Sequence, residues 1–134
     1  MEDLDTVRRI PVGEFWGVKL LITPFIWLGP FVFLGLHLLL NLINPHLNVS
    51  ERLSQAFFFM LAVEIATLFH AFGHILSGKL AHAAMDELLI TALRDVNIYH
   101  GDQKGIPSRI HLSRAVGGGL FNLFMAAIFF LLTH

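Results

Sequence analysis

Residues 56–76 read AFFFMLAVEIATLFHAFGHIL, and this stretch decides the class of fold. A helix that crosses a bilayer needs about 20 consecutive, mostly apolar residues, and the stretch meets that length. Its titratable side chains are Glu64, His70 and His74. It therefore predicts a membrane-spanning helix with polar groups in its interior, where such groups are costly and usually have a function.

Two further apolar runs flank this stretch in the chain. Residues 20–40 contain two prolines and His37, and residues 115–132 contain three consecutive glycines and Asn122. Proline and glycine are more frequent in membrane helices than in soluble ones, so they do not exclude a span. Together the runs predict a single all-α membrane domain over residues 1–134, with about three transmembrane helices.

The composition supports the same class of protein. The chain is 55% hydrophobic and 14% charged, with a mean hydropathy of +0.68, whereas a soluble domain carries about 25% charged residues. The net charge of −1 provides no basic surface for nucleic acid, and the absence of cysteine excludes disulfides and thiolate chemistry. Residues 1–9 lack the features of a secretory signal, which fits insertion into the plasma membrane of a prokaryote.

The long polar connection between the second and third runs, residues 77–114, contains two short apolar segments. Residues 88–93 and 96–99 include residue types that favour strands, and they predict a small β-hairpin. Residues 86–94 are equally compatible with one amphipathic helix, because periodicity over so few residues does not decide between the two.

The connection between the first and second runs is short. Asn44–Pro45 predicts a turn there, and Ser50 followed by Glu51 predicts the cap of the second helix.

The distribution of lysine and arginine predicts the orientation in the membrane. Arg52 is the only one of the nine basic residues in the short connection. Arg8, Arg9 and Lys19 precede the first run, and the other five lie in residues 77–114. Since cytoplasmic segments are enriched in Lys and Arg, we expect the N-terminus and the long connection in the cytoplasm and the C-terminus outside.

The segment His70-Ala71-Phe72-Gly73-His74 is the strongest candidate for chemistry. Two histidines at positions i and i+4 lie on one face of a helix, and this spacing allows both imidazoles to reach one metal ion. The alternative is that both histidines pack against neighbouring helices without a metal. Zinc proteases of the H-E-x-x-H type need a glutamate after the first histidine as general base, and Ala71 occupies that position.

Other groups do not replace this base in an obvious way. Glu64 precedes His70 by six residues, which is about 9 Å along a helix, and it points about 120° away. We interpret the acids and histidines of the long connection as solvated loop residues; they are Asp86, Asp95, Asp102, His82, His100 and His111. Glu64 is a functional candidate as a buried carboxylate, with His37 as a candidate partner.

Residues 68–76 resemble the H-E-L-G-H segment of the site-2 protease family, the intramembrane zinc metalloproteases. Residues 17–22 resemble the short extended entry before an early span of that family, and the segment from Asp86 resembles its small membrane-associated strands. Residues 118–122 are similar to its G-P-x-x-N segment, with Gly119 in the position of the proline.

The resemblance implies a site-2 protease-like fold in which His70 and His74 match two metal ligands and Asn122 matches an asparagine close to the active site. Two catalytic parts of the family are missing from the sequence. Ala71 replaces the glutamate, and the chain contains no later span with the L-D-G segment that supplies the third zinc ligand. We therefore expect no cofactor or weakly bound zinc, and no catalytic residues.

Three functions follow as hypotheses. The first is a non-proteolytic relative of the site-2 proteases, a structural or accessory subunit that packs against other transmembrane helices in a larger complex. The second is a small subunit that binds haem or chlorophyll through His37, His70 or His74. The third is a residual zinc metalloprotease in which Glu64 or a partner supplies the missing groups.

Overall fold

The structure, a computed structural model, describes residues 8–43 and 46–133. Within them the chain forms three helices and four strands. Their bounds, in chain order, are β1 Ile10–Phe15, β2 Val18–Ile22, α1 Leu28–Leu42, α2 Val49–Leu80, β3 Glu87–Ile90, β4 Asp95–Ile98 and α3 Ser108–Thr133. The predicted turn at Asn44–Pro45 lies outside the described residues.

Two helices, α2 and α3, are long and apolar enough to cross a membrane. They contain 32 and 26 residues, and their most apolar windows have mean hydropathies of 1.8 and 2.1. Only 17% and 11% of those windows are buried inside the chain, so both helices present most of their apolar surface outward. The predicted second and third apolar helices are confirmed, although each is longer than the apolar run that predicted it.

The predicted first span, residues 20–40, is wrong as a single helix. The first part of the run belongs to β2, residues 24–27 form a turn, and α1 has only 15 residues. Pro24 has no backbone N–H and disfavours a helical residue before it, so the strand ends there. Pro30 lies in the first turn of α1, where a missing N–H has no cost.

Helix α2 begins at a capping box. The side chain of Asn48 accepts a hydrogen bond from the Glu51 backbone N–H at 2.9 Å, and the Glu51 carboxylate accepts one from the Asn48 backbone N–H at 2.8 Å. Each side chain thus satisfies a backbone donor that the first turn leaves without a partner. The expectation of a cap at Ser50 was wrong by two residues, since Ser50 already lies inside the helix.

The four strands form one sheet in the order β1-β2-β3-β4. Strands β1 and β2 pair antiparallel, β2 and β3 parallel, and β3 and β4 antiparallel. The predicted hairpin in the long connection is confirmed as β3–β4, but the all-α class is wrong because this hairpin is half of a larger sheet. The turn between β1 and β2 has positive φ at Trp16 and Gly17, which matches a tight hairpin.

The sheet packs against the C-terminal half of α2. Val18 of β2 and Leu88 of β3 are almost fully buried, and they contact Ala71 and Ile75 of α2 in one apolar cluster. Alternating side chains of a strand point to opposite faces, so one face of each strand supplies this core. The cluster fixes the sheet beside the helix segment that carries the two histidines.

Helices α2 and α3 approach closely because glycine occupies both sides of their contact. A Cβ atom at Gly73 would lie 2.5 Å from the carbonyl oxygen of Gly117, and a Cβ at Gly117 would collide with Ser77. Small residues allow helix backbones to come together in this way. The close contact brings the start of α3 against the histidine-bearing face of α2.

Candidate functional site

His70 and His74 form a direct pair on α2. Their Nε2 atoms lie 3.0 Å apart, and the two rings are nearly perpendicular. Two nitrogens bound to one tetrahedral zinc ion at about 2.0–2.1 Å would lie about 3.3 Å apart. The pair therefore converges in the way that two ligands of one metal ion do.

The backbone of α3 determines which nitrogen of His74 carries a proton. Nδ1 of His74 lies 2.6 Å from the carbonyl oxygen of Arg114. A carbonyl only accepts hydrogen bonds, so Nδ1 of His74 is the donor and Nε2 of the neutral ring has a free lone pair. Nε2–H of His70 then donates to that lone pair. Metal-binding histidines use the same kind of contact to orient the ring.

Gly118 makes room for the ring of His70. A Cβ atom at position 118 would lie 2.6–2.7 Å from Nε2, Cδ2 and Cε1 of His70, closer than atoms of real proteins approach. The neighbouring Gly119 has open space at the corresponding position. Within this glycine run, Gly118 thus shapes the site, whereas Gly119 does not.

Arg114 connects the site to the rest of the chain. Its side chain is buried, and Nε donates to the carbonyl of Ala83 at 2.6 Å while Nη1 donates to Oε1 of Gln103 at 2.7 Å. The guanidinium also lies 4.1 Å from the ring centre of Tyr99, a cation–π contact. Burial raises the pKa of Tyr99, and the nearby Arg114 charge opposes that rise. From the sequence alone, Arg114 was predicted only as a basic residue of the long connection.

A cavity of about 380 Å³ opens beside the histidine pair. Its polar lining comes from α2, β4, the turn before β4, and α3, and consists of Thr67, His70, His74, Arg94, Asp95, Asn97 and Asn122. We call His70 and His74 the imidazole wall, and Asp95, Asn97 and Asn122 the acceptor wall. The structure thus brings together three of the predicted site residues, His70, His74 and Asn122.

The acceptor wall carries buried oxygens without partners. Oδ1 of Asp95, of Asn97 and of Asn122 is buried and has no hydrogen-bond partner among the residues that the structure describes. Most buried polar atoms of native proteins are hydrogen-bonded, and each exception requires an explanation. Three such oxygens at one cavity indicate a site that a donor-bearing ligand would complete.

Asp95 was interpreted from the sequence as a solvated loop residue, and this was wrong. Its side chain lines the cavity, and burial raises its pKa to about 6. His74 opposes this rise, and the charge of Glu64 adds to it. The interpretation failed because the position of Asp95 depends on how the β3–β4 hairpin folds against α2, which residue spacing does not encode.

Glu64 and His37 lie apart from the histidine pair. Oε1 of Glu64 is buried without a partner among the described residues, and its charge influences Asp95. The ring of His37 stacks on Phe59 at 4.5 Å. Phe59 precedes His70 by eleven residues, which is about 16 Å along α2. This spacing gives no support to a haem held by His37 together with His70 or His74.

The cavity fits a metal ion only in part. The imidazole wall would supply two nitrogen ligands, with the Arg114 carbonyl orienting His74. Across residues 8–43 and 46–133, no three His, Cys, Asp or Glu side chains lie close enough to hold a metal. Asp95 shares the cavity but does not complete such a set, so a zinc ion would have two protein ligands.

The position after His70, where the H-E-x-x-H pattern has a glutamate, lies in the apolar core. Ala71 follows His70 directly and is 5% exposed, in the cluster formed with Val18 and Leu88. A methyl group cannot take a proton. Hydrolysis would thus need a base from elsewhere in the cavity.

Comparisons with protein-family models, with curated proteins and with solved structures gave no match for this chain. The resemblance to the site-2 protease family accordingly depends on the ordered motifs of the sequence.

Proposed function

We propose that this chain is a non-proteolytic, site-2 protease-like membrane protein that acts as an accessory subunit and packs against other transmembrane helices. One observation carries the proposal: a pair of converging imidazoles, His70 and His74, lies beside a base position that is filled by the buried Ala71. The two imidazoles converge as two ligands of one metal ion do, and the residue after His70 is an alanine, which cannot activate water.

The outward surfaces of the helices support the accessory role. The apolar windows of α2 and α3 are mostly unburied within the chain, and large side chains such as Phe58 and Leu68 are 66% and 60% exposed. Helix α1 is about 22 Å long at 1.5 Å per residue, shorter than the hydrocarbon core of about 30 Å. A short helix beside two long ones leaves surface for a further helix.

In the proposed orientation the sheet and residues 77–114 face the cytoplasm of a prokaryotic cell, and α2 and α3 cross its plasma membrane. The excess of Lys and Arg in these segments supports their cytoplasmic location. Arg52, in the first turn of α2, then lies outside.

A residual zinc hydrolase is the second candidate, and Asp95 is the observation that favours it. A carboxyl group with a raised pKa, in the same cavity as two converging histidines, has the character of a general base. The two-ligand metal set weighs against it, since catalytic zinc sites use three protein ligands.

The test combines a cleavage assay with crosslinking. Purified protein in vesicles is given Zn²⁺ and a transmembrane substrate, beside the His70→Ala/His74→Ala double variant. We expect no cleavage by either protein. Zinc-dependent cleavage that the double variant loses would overturn the proposal, and loss in Asp95→Asn as well would establish the second candidate.

Crosslinking tests the accessory role directly. A photoreactive amino acid replaces Phe58 or Leu68 in the native membrane, with Val12 of β1 as the control position outside the apolar helices. We expect one protein adduct of defined mass at an α2 position and none at Val12. Adducts with lipid alone at both α2 positions would contradict the accessory role. A visible spectrum of the same preparation tests the pigment alternative, and we expect a colourless protein.

A further inference from the structure

The polar cavity adjoins an apolar groove. The groove has a volume of about 470 Å³ and lies between α2 and α3, where Ala66 and Asn122 line both spaces. Beyond Asn122 its walls are almost wholly apolar, formed by Ala62 and Phe69 of α2 and by Met125, Ala126 and Phe129 of α3. The two spaces together make one amphiphilic site, polar at one end and apolar at the other.

We propose that this site binds one phospholipid whose headgroup carries a primary ammonium. The ammonium would lie against the acceptor wall, the phosphate at Arg94, and an acyl chain in the groove. The inference rests on the part of the proposed function that places α2 and α3 in a bilayer, and it requires no protein partner.

The acceptor wall matches an ammonium group in number and charge. Oδ1 of Asp95, Asn97 and Asn122 are three buried acceptors without partners among the described residues. An ammonium has three donors and no acceptor, and ionised Asp95 adds a charge of opposite sign. A single metal ion would fill little of a cavity of about 380 Å³, whereas a headgroup occupies more of it.

Arg94 gives the cavity a second charge, of the sign that a phosphate needs. Its exposed side chain lines the cavity next to Asp95, in the turn between β3 and β4. Arginine binds phosphate oxygens through charge-assisted hydrogen bonds. A carboxylate and a guanidinium on neighbouring residues thus complement the two charges of a zwitterionic headgroup.

The direction of the groove agrees with a lipid of the leaflet on the side of the sheet. The groove runs along α3 from Asn122 to Phe129, about 10 Å at 1.5 Å per residue, away from the end that carries the sheet. An acyl chain entering at Asn122 would therefore point toward the bilayer centre. A partner helix is a poorer occupant, because its backbone N–H groups are bonded within the helix and leave only side-chain donors for three acceptors.

Lipid titration of the purified protein tests the proposal. The detergent-solubilised chain is titrated with phosphatidylethanolamine, phosphatidylcholine and phosphatidylglycerol of identical acyl chains, and retained lipid is counted by native mass spectrometry. We expect one phosphatidylethanolamine per chain. We expect about tenfold weaker retention of phosphatidylcholine, whose methylated nitrogen has no N–H donor.

Two variants locate the site, each with a matched control. Asp95→Asn should remove the preference for phosphatidylethanolamine, while Asp102→Asn, at an exposed carboxylate outside the cavity, should keep it. Ala126→Leu should weaken the retention of all three lipids by filling the groove, while Ala127→Leu, one residue further and outside the groove lining, should not.

The outcomes separate this inference from the proposed function. Equal retention of phosphatidylethanolamine and phosphatidylcholine, or unchanged retention in both Asp95→Asn and Ala126→Leu, would overturn the lipid site alone. A photoreactive group at Ala126 that captures a protein, with no lipid retained, would replace the lipid by a partner helix. A chain that fails to float with vesicles would overturn the membrane placement on which both proposals depend.

Discussion

The two walls of the cavity differ in how completely their polar atoms are satisfied. In the imidazole wall, His74 bonds both to the Arg114 carbonyl and to His70, and the ring of His70 fits against Gly118. The acceptor wall instead keeps three buried oxygens without partners among the described residues. Both ring nitrogens of His74 are thus satisfied within the chain, whereas the oxygens of the acceptor wall match the donors of the proposed ligand. Buried polar atoms without hydrogen-bond partners often mark a binding site.

The largest effect should come from removing the side chain that supports the imidazole wall. Arg114→Ala loses charge-assisted hydrogen bonds to Ala83 and Gln103 and the contact with Tyr99. We expect the free energy of unfolding to fall by about 3 kcal/mol. Unfolding in mixed detergent, followed by circular dichroism, measures this loss. Arg109→Ala, at an exposed arginine of the same helix, is the control and should change stability by less than about 0.5 kcal/mol.

A smaller loss should follow when the space for the His70 ring is filled. Gly118→Ala places a methyl group against that ring and should lower the free energy of unfolding by about 2 kcal/mol, the usual cost of overpacking. Gly119→Ala meets open space and should be neutral or slightly stabilising, because alanine favours helix. Equal losses in both variants would show that the imidazole wall is not tightly fitted.

Substitution in the acceptor wall should instead raise the free energy of unfolding of the ligand-free protein. Asn122→Leu replaces an amide whose Oδ1 lacks a partner by an apolar group of similar size, and it should stabilise the ligand-free protein by about 1 kcal/mol. The equivalent change in the other wall, His74→Leu, should destabilise because it removes the hydrogen bonds of His74 to the Arg114 carbonyl and to His70. Thermal unfolding of both variants in one detergent makes the comparison, and a destabilised Asn122→Leu would contradict it.

The last effect, reduced by solvent because the side chain of Asp95 is only half-buried, is a change in pH dependence. Its pKa is about 6 in the folded chain and lies above the ordinary value of 3.8. The folded state therefore holds this proton more tightly, and stability from this group is present below about pH 4 and lost as the pH rises to about 6. Asp95→Asn should flatten the stability profile between these values. A profile identical to that of the unmodified chain would show that Asp95 is solvated.

The sequence predicted the imidazole wall because its two histidines lie on one helix, where spacing alone determines their relative position. Asn122 was predicted from the resemblance of residues 118–122, and it does line the cavity. Asp95 and Arg114 were not predicted, since their roles arise from contacts between segments far apart in the chain. Local patterns describe a helix face well and describe contacts between elements poorly.

The sheet shows the same limit. Strands β3 and β4 overlap short apolar segments with strand-favouring residues, which Arg94 and Asp95 separate, so the hairpin was accessible to prediction. Strand β1 contains Pro11 and Gly13, which are unfavourable in strands, and the register shifts between these residues where β1 pairs with β2. Strand β2 was not predicted within the apolar run of residues 20–40, because a short aliphatic strand and the start of an apolar helix have the same composition.

The parallel pairing of β2 with β3 has a consequence for the order in which the chain assembles. Residues 23–86, with both α1 and α2, separate the paired strands Val18–Ile22 and Glu87–Ile90. During synthesis β2 therefore emerges long before its neighbour, and its free edge stays open until α2 is complete. Closing so long a loop is slow. The central strand pair can thus form only after both helices have been synthesised, and the same holds for the cavity beside His74, which β4 and α3 also line.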